Sequence, residues 1–244
     1  MTLIPGSEKL KKLFDKRSFN EQDTFIRATG TIMEVKRNFL RKFSSNQDER
    51  FDFVAEVFHD KIVAKNLNEA VLLIGYEKSC LESFKRNRLL GGINILDLAG
   101  VYYPKIAEMR NKYDVYKNTM PPDNVFDEIC LRKQSEIELA DHIIVLSGMV
   151  KEELLKGGIP EGKISVLQLG YDSEIFKPKK KYKLSEILQI IYVGAISYRK
   201  GFGELVKVAG ELNGKANFTV IGPKSDAGKL LNDLPSNMHH LPYM

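Results

Sequence analysis

Cysteine is scarce in this chain. Cys80 and Cys130 are the only two among 244 residues, and no CxxC pair occurs. That excludes a disulfide framework and a CxxC redox motif, and it leads to the expectation of reduced thiols in a cytoplasmic chain. No apolar run approaches 18 residues, so no transmembrane helix is expected. The opening MTLIPGSEKLKKLF has no apolar core ahead of a small-residue cleavage site and does not read as a signal peptide. No GxGxxG follows a strand, against a dinucleotide-binding dehydrogenase, and no GxxxxGKS/T occurs. His239-His240 has no cysteine or acidic partner at ligand spacing, so no metal is expected. The sequon Asn217-Phe218-Thr219 falls in an expected strand of a cytoplasmic chain and is discounted. The formal net charge of +5 suits an anionic ligand or a membrane surface, and it is too small to argue for nucleic acid.

The most informative stretch is LQIIYVGAISYRKG, residues 188–201. Ile190, Ile191, Tyr192 and Val193 form a β-branched and aromatic run, which suits a strand buried on both faces of a parallel sheet. Gly194 ends it, a loop of five residues follows, and Lys200-Gly201 leads into the helix-like FGELVKVAGEL. A strand, a tight turn and a helix start leave backbone N–H groups free, and the helix dipole favours negative charge there. Arg199 and Lys200 add two cations at the same spot.

Elsewhere the chain alternates strands and helices. Residues 31–43 place Ile32, Val35, Phe39, Leu40 and Phe43 on one helical face, with Lys36, Arg37, Arg41 and Lys42 mostly elsewhere. This reads as a surface helix packed on a core, with membrane contact as the sharper alternative. FDFVAEVFHDKIVAKNL is a second amphipathic helix, with His59 on its exposed face. AVLLIGY reads as a buried strand. A helix follows, capped by Ser79 and stopped by Gly91-Gly92, and then the strand INILDLA. Strand, helix and strand in some 30 residues make a βαβ unit and imply a parallel sheet. A long helix from Asn124 runs into the strand His142–Ser147, where His142 reads as a structural histidine. MVKEELLKGGIP is a helix and KISVLQLG a strand. The lysine-rich YDSEIFKPKKKYK separates two α/β patterns as a linker. Its Lys177–Lys183 cluster reads as solvated, with lipid headgroups as the alternative. Beyond the 188–213 unit come the strand NFTVIG, the helix-like SDAGKLLNDL and a fragment, HHLPYM.

Several of these stretches occur in the order and spacing of a known family. Glu138-Leu139-Ala140-Asp141 with Ser147 matches E-x-AD-x-(apolar)-x-S. KISVLQLGYDSEIFKP, with Gly170, Asp172, Phe176 and Pro178, matches KI-x-V-(x)n-G-x-D-(x)3-F-x-P, and YVGAISYRKG and FTVIGP follow. Together they cover most of residues 70–223, and the chain resembles the family 4 glycosyltransferases of the GT-B fold. The resemblance implies two Rossmann-like α/β domains. Residues 1–177 would be the N-terminal acceptor domain, and residues 178–244 the linker and a partial C-terminal donor domain. It implies transfer of a sugar from a nucleotide-diphosphate sugar to an acceptor hydroxyl with retention of configuration, in glycan or glycolipid biosynthesis.

By the same resemblance Gly194, Arg199 and Lys200 would hold the donor diphosphate, and Gly222 would lie near the nucleotide. Glu77, Ser79, Tyr102 and Tyr103 would line the acceptor side, because ligands bind beyond the carboxyl ends of such strands. No catalytic residue is singled out and no cofactor is implied, the nucleotide sugar being a co-substrate. The expected partners are that donor and a glycan or lipid-linked acceptor, with peripheral contact at the inner face of a membrane and no nucleic acid. Two departures stand out. Ala195 follows the Val-Gly pair where many family members carry Arg, with Arg199 as the replacement cation. The family's opening strand with its glycine-rich loop, and its E-(x)7-E segment, have no counterpart, so truncation at both ends is expected and the chain alone would be inactive. The alternative is a non-catalytic GT-B fragment or a partner or binding subunit.

Overall fold

A computed structural model describes residues 50–114, 120–178 and 186–241, with the backbone also placed at Glu49. The amphipathic segment 31–43 and most of the Lys177–Lys183 cluster lie outside these residues. Helix α1 (Glu49–Asn66) precedes strand β1 (Leu72–Tyr76), helix α2 (Leu81–Leu89), strand β2 (Ile93–Leu98) and helices α3 (Tyr103–Lys112) and α4 (Asp123–Leu139). Strand β3 (His142–Val145), helix α5 (Gly148–Lys156) and strand β4 (Ile164–Val166) follow. The second group is strand β5 (Leu188–Val193), helix α6 (Phe202–Glu211), strand β6 (Ala216–Ile221) and strand β7 (Met238–Leu241). Both sheets are parallel throughout, in the orders β1-β2-β3-β4 and β5-β6-β7.

These orders advance one neighbour at a time in one direction. With right-handed crossovers, every connecting helix then falls on the same face of its sheet. The burial pattern agrees. On the covered face of the first sheet, Leu96, Leu98, Ile143, Val145 and Ile164 pack with Phe84 of α2, Ile137 of α4 and Leu154 of α5. Alternate residues point the other way, and no described element covers them. Leu96 is 1% exposed, whereas Ile74 is 60% exposed. The second sheet repeats this, with Phe218 and Val220 buried beneath α6 and Ile191 66% exposed.

This corrects the expectation that the run at 190–193 is buried on both faces, and that the run at 70–76 is a buried strand. A β-branched run fits either case, and only the side on which the helices return decides between them. Three element assignments also change. SDAGKLLNDL forms only a 3-10 turn at Gly228–Asn232, HHLPYM supplies β7, and KISVLQLG keeps only Ile164–Val166 as strand. Helix α3 has no counterpart in the sequence reading.

Buried amides hold the first sheet to its helices. Asn87 and Asn94 are fully buried. Asn87 Oδ1 accepts the Val71 N–H at 3.1 Å, and its Nδ2 donates to Val71 O, Ile93 O and Asn94 Oδ1. Gly92 is required beside it, because a Cβ there would lie 2.2 Å from Asn87 Oδ1. Asp141, the acid of the Ala-Asp pair, accepts the Asn94 N–H at 2.8 Å, so that motif fastens α4 to β2.

One-sided cover has a measurable consequence. Leu96→Ala should lower unfolding stability by about 2–5 kcal/mol through the lost methylenes and the cavity, and Ile74→Ala by less than about 1 kcal/mol. Urea unfolding of both variants checks this; equal losses would mean that both faces are packed.

Candidate functional site

Among the strand ends that lead into helices, the turns after β1 and after β5 hold most of the candidate residues. They differ in what already occupies the helix N-terminus.

After β1, the site is filled by the protein's own carboxylates. Asp60 on α1 is fully buried and accepts the N–H groups of Glu82 and Ser83 at 2.7 and 2.9 Å, plus the Ser83 hydroxyl at 2.6 Å. Glu136 on α4, also fully buried, accepts the N–H groups of Lys78 and Cys80 at 2.7 and 3.1 Å. Arg132 bridges the two acids and donates its Nε–H to the Lys78 carbonyl at 2.7 Å. This network clamps Lys78 at φ 72°, a left-handed conformation that a non-glycine residue holds only when its surroundings impose it. Burial pushes the Cys80 thiol up, so it stays protonated. Helix α2 therefore takes its cap from Asp60, far away in sequence, while Ser79 lies outside the capping position and Cys80 makes no side-chain cap. A helix start already holding carboxylates offers nothing to a further anion.

Of the four acceptor-side candidates, Glu77 and Ser79 lie in this turn, and Tyr102 and Tyr103 open α3 after β2. Glu77 is buried and pairs with Lys133 at 2.8 Å. Gly100 lets it fold inward, since a Cβ there would lie 2.3 Å from Glu77 Oε1. Glu77, Lys133 and Tyr103 line a small cleft too tight to admit a water molecule. Tyr102 is buried beside Gly157 and meets Tyr103 edge-on, ring centroids 5.1 Å apart. Ser79 is half-buried and donates its N–H to the Tyr76 carbonyl at 3.1 Å. The structure thus brings Glu77 and Tyr103 together in one cleft that Ser79 and Tyr102 do not line.

After β5, the helix start is open. Gly194 and Gly222 end the neighbouring strands β5 and β6 in direct contact; a Cβ on Gly222 would lie 1.9 Å from the Gly194 carbonyl oxygen. The chain turns through the buried Ile196 and Ser197 into a 3-10 turn, Tyr198–Lys200. Gly201, at φ 73°, then opens α6 with no side-chain cap. Arg199 and Lys200 on the turn are exposed, and neither forms an ion pair with a described residue. Ala195, where the resemblance implies Arg, offers only its carbonyl, which accepts the Tyr192 hydroxyl at 2.7 Å. Ser197 is 7% exposed and its hydroxyl has no hydrogen-bond partner among the described residues. A second loop braces the turn: Ile196 donates its N–H to Pro223 O at 2.9 Å, and Tyr198 donates its N–H to Asp226 Oδ1 at 3.2 Å.

Ser197 and Asp226 were not singled out from the sequence. Ser197, four residues before Gly201, carried a weak signal as a polar residue opening a turn; Asp226 carried none. Other candidates have local structural partners. Asp172 accepts the Glu174 N–H and so shapes its own turn, His142 pairs with the Ser165 hydroxyl, and His239 pairs with Thr219. Among the described residues, no three His, Cys, Asp or Glu side chains gather as a metal site, and no helix is long and apolar enough to cross a membrane.

No protein-family model matches the chain, and no curated protein matches it. Solved structures do. Anabaena HepE in complex with UDP aligns with a TM-score of 0.51 at 11% identity, over 82% of this chain and 54% of that one. This chain has a GT-B type fold. Anabaena HepE with UDP-glucose aligns at TM-score 0.49 and 12% identity over 70% and 48% of the two chains. The lipopolysaccharide outer core galactosyltransferase WaaB aligns at 0.47 and 16% over 82% and 51%. The chain thus spans about half the length of the structures it matches.

The network after β1 should behave as a structural clamp. Asp60→Ala leaves Arg132 buried without one partner and should lower unfolding stability by roughly 3–5 kcal/mol. Chemical denaturation measures it; a loss under about 1 kcal/mol would show that water already reaches the pair.

Proposed function

We propose that the turn Tyr198–Lys200 and the start of α6 bind the diphosphate of a nucleotide-sugar donor, and that the protein is a GT-B glycosyltransferase. The observation that carries this reading is the contrast between the two helix starts: α2 is filled by Asp60, whereas α6 is uncapped and has Arg199 and Lys200 exposed beside it. Donors and cations fixed at that turn would stabilise the charge that grows on a leaving diphosphate. Retention of configuration, and a glycan or lipid-linked acceptor approaching the Glu77–Tyr103 end of the first sheet, belong to the same proposal. So does a cytoplasmic chain with peripheral membrane contact. HepE was solved with UDP, which makes UDP the first nucleotide to test here.

A second reading, a GT-B relative that binds without transferring, is favoured by the bare apolar faces of both sheets, which suit a protein that works against another surface. Binding of UDP with no turnover of any UDP-sugar would favour it.

A charge-assisted bond to phosphate contributes roughly 1.5–3 kcal/mol, about ten- to a hundredfold in affinity. Lys200→Ala should therefore weaken UDP binding at least about tenfold, and Arg199→Ala should do less, both with unchanged melting curves. Titration calorimetry on the 244-residue chain measures this, and an unchanged affinity in Lys200→Ala would remove the proposal.

A further inference from the structure

The turn that carries Arg199 and Lys200 is closed mostly by its own backbone. Lys200 and Phe202 donate their N–H groups to the Ser197 carbonyl at 3.2 and 3.3 Å, and Gly201 donates to Tyr198 O at 2.9 Å. The first N–H of the turn, that of Tyr198, finds its acceptor elsewhere. Ser197 stands in the capping position, but its side chain makes no cap. The acceptor is Asp226 Oδ1 at 3.2 Å, on the loop that follows β6. That loop is held firmly. Ala227, the next residue, is fully buried and donates its N–H to Ile196 O at 3.2 Å, and Gly228 donates to Ser225 O at 2.9 Å. Residues 196 and 224 also form a parallel bridge. Among the described residues, the Tyr198 N–H is the only polar contact of the Asp226 carboxylate.

A carboxylate beside a turn that holds an anion is electrostatically unfavourable. Its presence calls for a compensating role, and the geometry supplies one. We infer that Asp226 is a positioning residue: it caps the Tyr198–Lys200 turn from the neighbouring loop and so holds Arg199 and Lys200 in place for a diphosphate. This inference rests on the reading of the turn as a diphosphate site. It adds a part for the loop after β6: besides ending its strand at Gly222, that loop sets the geometry of the cations on the β5 turn.

Charge and positioning predict opposite signs, which makes the inference testable with inorganic pyrophosphate as the probe. If Asp226 acted only through its charge, Asp226→Ala and Asp226→Asn would both tighten binding. As a cap, Asp226→Ala loses the acceptor and should weaken binding by about three- to tenfold, the worth of one net hydrogen bond. Asp226→Asn keeps an oxygen acceptor and sheds the charge, so it should bind as well as the parent chain or better. The amide proton of Tyr198, followed by hydrogen exchange, should lose protection in Asp226→Ala and keep it in Asp226→Asn. That readout needs no ligand, and comparison with the amides of β5 and β6 separates a local loss of protection from a general loss of stability. Tighter or unchanged pyrophosphate binding in Asp226→Ala overturns the inference and leaves the diphosphate reading standing. So does equal weakening in both variants. Failure of the parent chain to bind either pyrophosphate or UDP overturns the diphosphate reading itself, and the inference with it, whatever the Tyr198 amide shows.

Discussion

The handedness of parallel crossovers governs this architecture. A strand order that advances by one neighbour each time, with every crossover right-handed, sends all connecting helices to one face. Because the strands run parallel, every strand-to-helix turn lies at the same edge of its sheet, which is why Glu77, Ser79 and Tyr103 gather at one end of the first sheet. At the same edge of the second sheet, Gly194, Lys200 and Gly222 gather in the same way. The candidate site is a product of that topology before any side chain is chosen.

What each turn can then do depends on who takes up the free N–H groups of the helix that follows. At α2 the answer is two buried acids and an arginine, a fully partnered arrangement that fixes a left-handed residue and leaves no capacity for a further anion. At α6 the N-cap is a glycine without a side chain, Arg199 and Lys200 stand exposed beside it, and the acids nearby are Glu204 in the first turn and Asp226 on the neighbouring loop. The same strand–turn–helix unit thus forms a structural clamp in one sheet and, on the reading proposed above, an anion site in the other. Electrostatics distinguishes them, because a filled helix start repels a further anion and an empty one attracts it.

The one-sided sheets bear on function in a different way. Rows of large apolar side chains, Leu72, Ile74 and Tyr76 on β1 and Ile191 and Val193 on β5, face away from the helices and stay exposed among the described residues. Surfaces of that kind mark contact with other protein or lipid.

Sequence alone determined the alternation of elements and the location of the open turn. Runs of Ile, Val and Tyr, the glycines at 194, 201 and 222, and the adjacent Arg199-Lys200 pair are local features, and local backbone preference is enough to place them. The motif order carried the GT-B expectation, which the parallel sheets and the HepE alignment bear out as a fold. Only the tertiary structure decided which face of each strand is covered, because a β-branched run reads the same whether one side or two are packed. It alone showed that Asp60 rather than Ser79 caps α2, and that Asp226 braces the cation turn. Those contacts join residues 22 and 28 positions apart, and Asp60 meets Arg132 across 72. Pairings at such separations leave no periodic trace in the chain, since they arise only when separate crossovers return to the same edge of a sheet.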